Sequence, residues 1–323
     1  MRQGHNRFLD ETTLPVSLIS RLPQGVPAIL IAVFAMALTD TIIKLSSSGM
    51  VLWQIWILRS ALVLPVLFVA ARGRVMGPGT PWVALRSIAL VAQYICLYAV
   101  LPLIDMALAG AAFYVAPFFI VGLSAVILGN RITLRHWLAI FTGFAGLLLI
   151  VKPFGAAFTP LIGMPIAAAA FYAIAAIITR ARCSDVTPLA IAFWLNLACL
   201  GGGLALAVLR NELPAPDWAG FITGPWHPMA AQDWAMIAAL SVLILVLSIS
   251  LAKAYQSPRP EVIAALDYVY MIFVVFWGYV VFNEMPDLWT VLGIALISAG
   301  GLSMLRIPAV RGQTPRQSIP GTT

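Results

Sequence analysis

Charged residues are scarce in this chain. Aspartate, glutamate, lysine and arginine together make up 10% of the 323 residues, whereas 62% are hydrophobic. A soluble globular domain carries about 25% charged residues, so this composition excludes a folded core with a fully solvated surface. The chain is expected to be a membrane protein.

Residues that build metal and catalytic sites are equally few. Three cysteines and three histidines are present, with no CxxC or HExxH spacing among them: Cys96, Cys183, Cys199, His5, His136 and His227. The sequence also contains no GxxxxGK[ST] phosphate loop and no GxSxG nucleophile elbow. We therefore predict no metal, no cofactor, no ATP hydrolysis and no catalytic residues, and hence no enzyme.

Long apolar stretches are abundant. A hydrocarbon core of about 30 Å requires roughly 20 apolar residues of helix, and ten stretches approach this length. The sequence therefore predicts an all-α polytopic protein with ten transmembrane helices, at residues 27–45, 52–71, 82–101, 106–128, 135–151, 162–180, 188–209, 233–254, 260–282 and 288–306.

The basic residues are distributed unevenly between the two sides of these spans. With the N-terminus in the cytoplasm, fifteen lysines and arginines fall inside, Arg86 among them, and three fall outside, namely Lys44, Lys152 and Arg210. This bias predicts a multi-pass protein of a bacterial-type inner membrane with both termini cytoplasmic. Because the charges are spread over every inner loop, they indicate topology and no nucleic-acid partner.

The chain divides into two halves with weak similarity to each other. Residues 1–26 and 307–323 are predicted cytoplasmic tails, and 27–155 and 156–306 are predicted five-helix repeats. Asn130-Arg131 aligns with Asn283-Glu284, and Gly146 aligns with Gly301. Since five is odd, the second repeat enters the membrane from the opposite side. Inverted repeats are typical of transporters that bind substrate between the halves; the alternative is a duplication that serves packing alone.

Several segments resemble the drug/metabolite transporter superfamily in its EamA-type, ten-helix branch. They are LTDTIIK (38–44), QIWILRS (54–60), YAVLPLIDMALAGAAFYVAP (98–117), AKAYQSPRPEVIAALDY (252–268) and GYVVFNEMPDLWTVLGIALISAGGL (278–302). The resemblance implies a secondary carrier that moves small metabolites by alternating access. The family usually ends its fourth helix in Gly-Glu. Here Asn130 follows Gly129, and only the second half keeps the acidic residue, as Glu284.

Two ionisable residues lie at similar depth in the first two spans. Asp40 is about five residues, and Arg59 about seven, from the predicted outer end of its helix. Charges inside a membrane are costly and usually functional. Because the first two helices are expected to be adjacent and antiparallel, we predict an Asp40–Arg59 ion pair. It either holds an anion-binding or gating arginine or forms a static bridge between helices.

A third ionisable residue, Asp267, lies beside Tyr268 and Tyr270 in span nine, with no obvious basic partner. A buried carboxylate without a partner can carry a proton, so Asp267 predicts proton coupling. The alternative is a solvated carboxylate that faces an aqueous vestibule. Lys44 is expected to extend outward to the interface.

Neutral polar and aromatic residues at mid-depth are candidates for the wall of a substrate cavity. Packing within the helix bundle is the alternative for each aromatic residue. The candidates, which join Asp40, Arg59, Asp267, Tyr268 and Tyr270 as predicted substrate-binding residues, are Gln93, Tyr94, Tyr114, Tyr172, Trp194, Asn196 and Trp277.

Pro117 falls midway along span four, where it predicts a kink that either flexes during gating or is simply tolerated. Spans five and ten carry small residues four apart, at Thr142 and Gly146 and at Ala295 and Ala299. Such pairs favour close packing. These two spans are predicted to form a scaffold, or the face of a homodimer.

Together these features predict a secondary transporter of a small organic metabolite that is amino-acid-like, vitamin-like or aromatic. One alternative is a non-catalytic structural or regulatory membrane subunit, which needs neither inverted repeats nor polar residues at mid-depth. A second is a membrane-embedded enzyme acting on lipid, which requires clustered histidine and aspartate at one interface.

Overall fold

The structure, a computed structural model, describes residues 25–128, 134–151, 159–210, 220–255, 266 and 269–305. Eleven helices of eight or more residues lie in this part of the chain, together with a short 3₁₀ turn and a single helical turn that connect them. The eleven are α1 Val26–Ser46, α2 Leu52–Ala70, α3 Thr80–Val100, α4 Met106–Phe113, α5 Ala116–Leu128, α6 Leu134–Val151, α7 Gly163–Arg182, α8 Pro188–Leu209, α9 Ala231–Tyr255, α10 Val269–Phe282 and α11 Leu288–Leu305.

Local sequence signals explain where several helices begin. Gly25 precedes α1 with a φ of 95°, a left-handed conformation that glycine adopts without strain. The Thr187 side chain accepts a hydrogen bond from the Ala190 N–H at 3.3 Å, and Pro188 opens α8 where no N–H is needed. Each helix satisfies its own backbone hydrogen bonds, which hydrocarbon requires.

The outer surface of the bundle is strongly apolar. Val69, Val126, Leu134 and Val208 are each at least 75% exposed. A soluble protein rarely exposes so many large apolar side chains in continuous patches. Lipid therefore covers this surface, and the chain is a polytopic membrane protein of the predicted class.

Seven apolar helical segments in the described part of the chain are long enough to cross a bilayer, with α4 and α5 together forming one of them. Shorter apolar segments lie in α6, α10 and α11. Span nine was predicted to begin at residue 260, and residues 260–265 lie outside the described residues. The count of ten crossings therefore stays a prediction.

Helix packing follows a two-fold pattern. The pair α1–α9 corresponds to α7–α3 when the two halves are exchanged, and α1–α10 corresponds to α7–α5. Two further pairs, α2–α8 and α6–α11, each join equivalent helices of the two halves. All of these pairs pack closely, as expected for two similar units related by a pseudo-two-fold axis.

The predicted interruption of span four is present, and it lies before Pro117. Helix α4 ends at Phe113 and α5 begins at Ala116, so Pro117 is the second residue of the new helix. Proline in a first turn removes no helical hydrogen bond. The break at Tyr114 and Val115 separates a short α4 from α5, and the gating role of Pro117 stays a prediction.

Helices α6 and α11 cross closely at two glycines. A methyl group at Gly146 would lie 2.6 Å from the Gly293 carbonyl oxygen, and one at Gly293 would lie 2.6 Å from the Gly146 carbonyl oxygen. Small residues let helix backbones approach in this way. The pair packs outside the central helices, as a scaffold would; the homodimer face stays a prediction.

Candidate functional site

A cavity lies in the centre of the bundle. It is partly open at its mouth, and about 900 Å³ of space that no atom fills lies within its outline, the open solvent at the mouth included. Its walls come from α1, α3 and α4 of the first half and from α7, α8, α9 and α10 of the second half. The lining is mainly apolar with a few polar groups, which is the usual character of a small-molecule site.

Asp40 is the carboxylate of this cavity. Its side chain is 3% exposed. One oxygen accepts a hydrogen bond from the Tyr98 hydroxyl at 2.9 Å, and the other accepts from the Tyr270 hydroxyl at 2.7 Å. A carboxylate offers about four acceptor positions, so Asp40 keeps acceptor capacity for a ligand while three helices hold it in place.

Aromatic rings support the two tyrosines that hold Asp40. Tyr94 stacks on Tyr98 with ring centroids 5.5 Å apart, and Tyr114 stacks on Tyr270 at 5.3 Å. Tyr172 packs against Phe113 at 5.4 Å on another wall. Rings in such contacts have little rotational freedom, so this part of the cavity wall is pre-organised.

The predicted Asp40–Arg59 ion pair is wrong. Arg59 is 1% exposed, and its Nε and one terminal nitrogen have no hydrogen-bond partner among the described residues. The two residues were predicted to lie at similar depth, but they belong to helices with different neighbours. Helix α1 packs mainly on α9 and α10, and α2 packs mainly on α8. Arg59 consequently lies outside the cavity lining.

Five predicted residues do line the cavity: Asp40, Gln93, Tyr94, Tyr172 and Tyr270. Tyr114 stands behind Tyr270. The remaining described candidates serve packing or lie elsewhere. The Trp194 indole N–H donates to the Val75 carbonyl at 2.8 Å, and the Asn196 amide donates to the Ala192 carbonyl of its own helix at 2.9 Å.

Trp277 lies among Phe34 and Phe276 rather than in the cavity wall. Asp267 and Tyr268 lie outside the described residues, so their predicted roles in substrate binding and proton coupling remain predictions.

Lys44 does not extend outward as predicted. Its Nζ lies 2.5 Å from Oε1 of Glu284 and donates to the Ile104 carbonyl at 2.8 Å. Glu284 Oε2 accepts from the Met106 N–H, also at 2.8 Å, at the start of α4. The carboxylate thus lies where a helix N-terminus favours negative charge. We call this end of the bundle the Lys44 end.

The opposite end is marked by Trp82, whose ring lies 4.8 Å beneath the Arg182 guanidinium, and we call it the Trp82 end. Between this end and Asp40, the cavity is lined by Arg86, which the charge pattern had marked only as a topology signal. Arg86 lies in the second turn of α3, and its Nε donates to Oγ1 of Thr179 at 2.7 Å. The sequence did contain a signal for Arg86, because this residue lies inside predicted span three.

Comparison with known families gives two matches along the chain. The profile of the EamA-like transporter family matches residues 23–152 and again residues 160–306. The two matched stretches together cover most of the sequence.

Individual proteins are similar over nearly the whole chain or over about half of it. The pseudopaline exporter CntI of Pseudomonas aeruginosa (strain UCBPP-PA14) is 24% identical over 293 residues, which span 90% of this chain and 98% of the exporter. A riboflavin transporter of Vibrio cholerae serotype O1 is 26% identical over 56% of each chain. A solved crystal structure with 22% identity superposes with a TM-score of 0.58, covering 86% of this chain and 96% of the other, and supports the fold.

Proposed function

The chain belongs to the EamA-like transporter family, and we propose that it is a secondary transporter that works by alternating access. It is a membrane transporter of small metabolites and not an enzyme, as its family and named relatives indicate. The solute we propose is an organic metabolite that is amino-acid-like, vitamin-like or aromatic. The membrane is a bacterial inner membrane.

The central cavity carries this proposal. Both halves contribute to its walls, so a relative movement of the halves changes its opening. It holds a carboxylate, an amide, several tyrosines and a guanidinium within a mainly apolar lining. A protein that only stabilises a membrane complex has no need for such polar groups inside the membrane, because each is costly there.

The ion pair of Lys44 and Glu284 supports alternating access. It connects the end of α1 to the starts of α4 and of the α10–α11 connection, and so joins the two halves at the Lys44 end. We infer that this contact holds the Lys44 end closed. The sequence alignment of the halves places Arg131 opposite Glu284, so the equivalent position has no carboxylate. We infer that the two ends close by different contacts.

The names of two relatives support the proposed solute class. One exports pseudopaline and the other transports riboflavin, according to their names. Aromatic stacking around Tyr94 and Tyr270 suits a solute with a flat ring. Proton coupling through Asp267 is part of the proposal.

Reconstituted protein tests the proposal. Proteoliposomes are incubated with a metabolite extract, and the accumulated solutes are identified by mass spectrometry against protein-free liposomes. We expect selective accumulation of a few small solutes. A protein that accumulates none favours the non-transporting membrane subunit.

A reversible cross-link then tests alternating access itself. The double variant Lys44→Cys with Glu284→Cys is built in a background whose three native cysteines are alanine. A bis-methanethiosulfonate reagent, which bridges two thiols through a spacer by forming a disulfide with each, is expected to hold the Lys44 end closed and abolish transport. A reductant is expected to restore transport. The cysteine-free background, treated identically, is the control. Transport that continues through the cross-linked protein would contradict the mechanism.

A further inference from the structure

Arg86 carries a positive charge that the described protein does not neutralise. Its side chain is 7% exposed, and it lines the cavity. One terminal nitrogen is buried without a hydrogen-bond partner in the described part of the chain. The ion pair of Lys44 and Glu284 is the one salt bridge among the described residues, so none of their carboxylates lies within 4 Å of Arg86.

Thr179 fixes the orientation of this guanidinium. The Thr179 hydroxyl donates to the Ala175 carbonyl at 2.7 Å, and its oxygen accepts from the Arg86 Nε at the same distance. The hydroxyl proton is therefore committed to the α7 backbone, and the oxygen faces Arg86. With Nε occupied, the terminal nitrogens remain as the donors for a ligand.

A buried, unpaired guanidinium is unfavourable, because its lost hydration has no replacement. An anion that enters the cavity replaces it. Arginine presents its N–H groups as a planar fork that matches the two oxygens of a carboxylate. Arg59 is equally buried and also short of partners among the described residues, but it does not line the cavity and cannot meet a solute there.

We propose that Arg86, positioned by Thr179, binds the anionic group of the transported solute, and that this group is a carboxylate. The inference rests on the proposed transport function and names the chemistry of its cargo. The fixed carboxylate of Asp40 in the same cavity disfavours a doubly charged phosphate more than a singly charged carboxylate.

The position of the two charges also orients the solute. Arg86 and Tyr98, which holds Asp40, lie twelve residues apart on α3, or about 18 Å along the helix axis. The carboxylate of the solute lies toward the Trp82 end, and any amine or hydroxyl donor lies toward Asp40. A solute with both groups is elongated.

The test compares carboxylates with their neutral amides. Proteoliposomes that contain the full chain take up phenylalanine or phenylalaninamide, nicotinate or nicotinamide, and phenyl phosphate, each corrected for protein-free liposomes. The wild type is expected to prefer carboxylates over amides and phosphate by at least tenfold. Arg86→Gln is expected to remove this preference. Arg86→Lys retains part of it, because the charge remains and the fork is lost.

Two more variants separate binding from folding. Thr179→Val removes the oxygen that orients Arg86 and is expected to raise KM for carboxylates severalfold with little change in kcat. Arg180→Gln removes an exposed cation at the position after Thr179 and is expected to behave as the wild type. If Arg86→Gln does not fold, as judged by size-exclusion chromatography, Arg86→Lys and Thr179→Val decide the question.

The possible results distinguish the two proposals. Equal uptake of acids and amides, or a preference that survives in all Arg86 and Thr179 variants, overturns the carboxylate site and leaves transport intact. If the wild type moves solutes from the metabolite extract and none of these probes, the accumulated solutes decide: solutes without a carboxylate overturn the carboxylate site, and carboxylates that Arg86→Gln no longer accumulates support it. If the wild type moves nothing from either source, the proposed function fails as well.

Discussion

Lys44 and Glu284 lie 240 positions apart in the sequence, yet Nζ of the lysine and Oε1 of the glutamate lie 2.5 Å apart. The side chains are 11% and 15% exposed. Lys44 also donates to the Ile104 carbonyl just before α4, and Glu284 also accepts from the Met106 N–H at the start of α4. One pair thus joins the ends of three helices from the two halves.

A double-mutant cycle measures how strongly this pair stabilises the Lys44 end. Lys44→Met and Glu284→Gln are each expected to lower the melting temperature, because each leaves a partly buried group without its charged partner. The expected coupling is roughly 1–3 kcal/mol. The double variant completes the cycle as its fourth corner, beside the wild type and the two single variants. Strictly additive effects would show that the pair contributes nothing at this end.

The two hydrogen bonds to Asp40 are a second target. Tyr98→Phe and Tyr270→Phe each remove a donor to a buried carboxylate, which costs about 1.5–3 kcal/mol. We expect lower thermal stability and weaker solute binding in both variants. Tyr279→Phe is the control, since Tyr279 is 49% exposed. Equal melting temperatures in all three variants would count against the observed contacts.

The crossing of α6 and α11 is sensitive to a single methyl group. Gly146→Ala places a Cβ 2.6 Å from the Gly293 carbonyl oxygen, so the helices must separate. We expect a loss of about 1–3 kcal/mol in stability. Gly201→Ala has no neighbour within 4 Å and is expected to be neutral or slightly stabilising. Thermal melting in detergent compares the two, and equal stability would contradict the close crossing.

Proton coupling predicts a specific effect at Asp267. Asp267→Asn removes the titratable group, so the pH dependence of uptake is expected to flatten while uptake at one fixed pH persists. Asp185→Asn, at an exposed position, is the matched control. Initial rates in vesicles with and without a proton gradient provide the measurement. An unchanged pH profile in Asp267→Asn assigns the coupling elsewhere.

The predicted topology places both termini in the cytoplasm. A fluorescent reporter fused after Pro308 is expected to be active there, whereas one fused after Arg210 is expected to be exported and dark. An alkaline phosphatase fusion at the same two sites provides the reciprocal readout. The opposite pattern would invert the orientation and exchange the inner and outer ends of the cavity.

Residue character alone led to part of the site. Asp40, Gln93, Tyr94, Tyr172 and Tyr270 were predicted as polar or aromatic residues at mid-depth, and all line the cavity. The same criterion also selected Trp194, whose indole N–H donates to the Val75 carbonyl and which does not line the cavity. Depth follows from position along a span, but the direction in which a side chain points depends on how its helix is rotated.

Arg86 was missed for the same reason. Counting charges assigned Arg86 to the cytoplasmic side of the membrane. Its contact with Thr179 of α7 shows that the side chain points into the bundle. Lys44 pairs with Glu284 of the other half, and no sequence spacing predicts a contact between residues so far apart. Asp40 was paired with the wrong helix because consecutive helices were assumed to pack together.

The amino-acid sequence by itself determined that the chain is a bundle of apolar helices in two similar halves and that it belongs to a transporter family. Lipid supplies no hydrogen bonds, so long apolar segments have one stable backbone conformation, and their length can be counted. Tertiary structure alone decided which helices are neighbours and which faces turn inward. These helices are apolar on every side, so hydropathy leaves their rotation open, and packing between residues far apart in the sequence selects it.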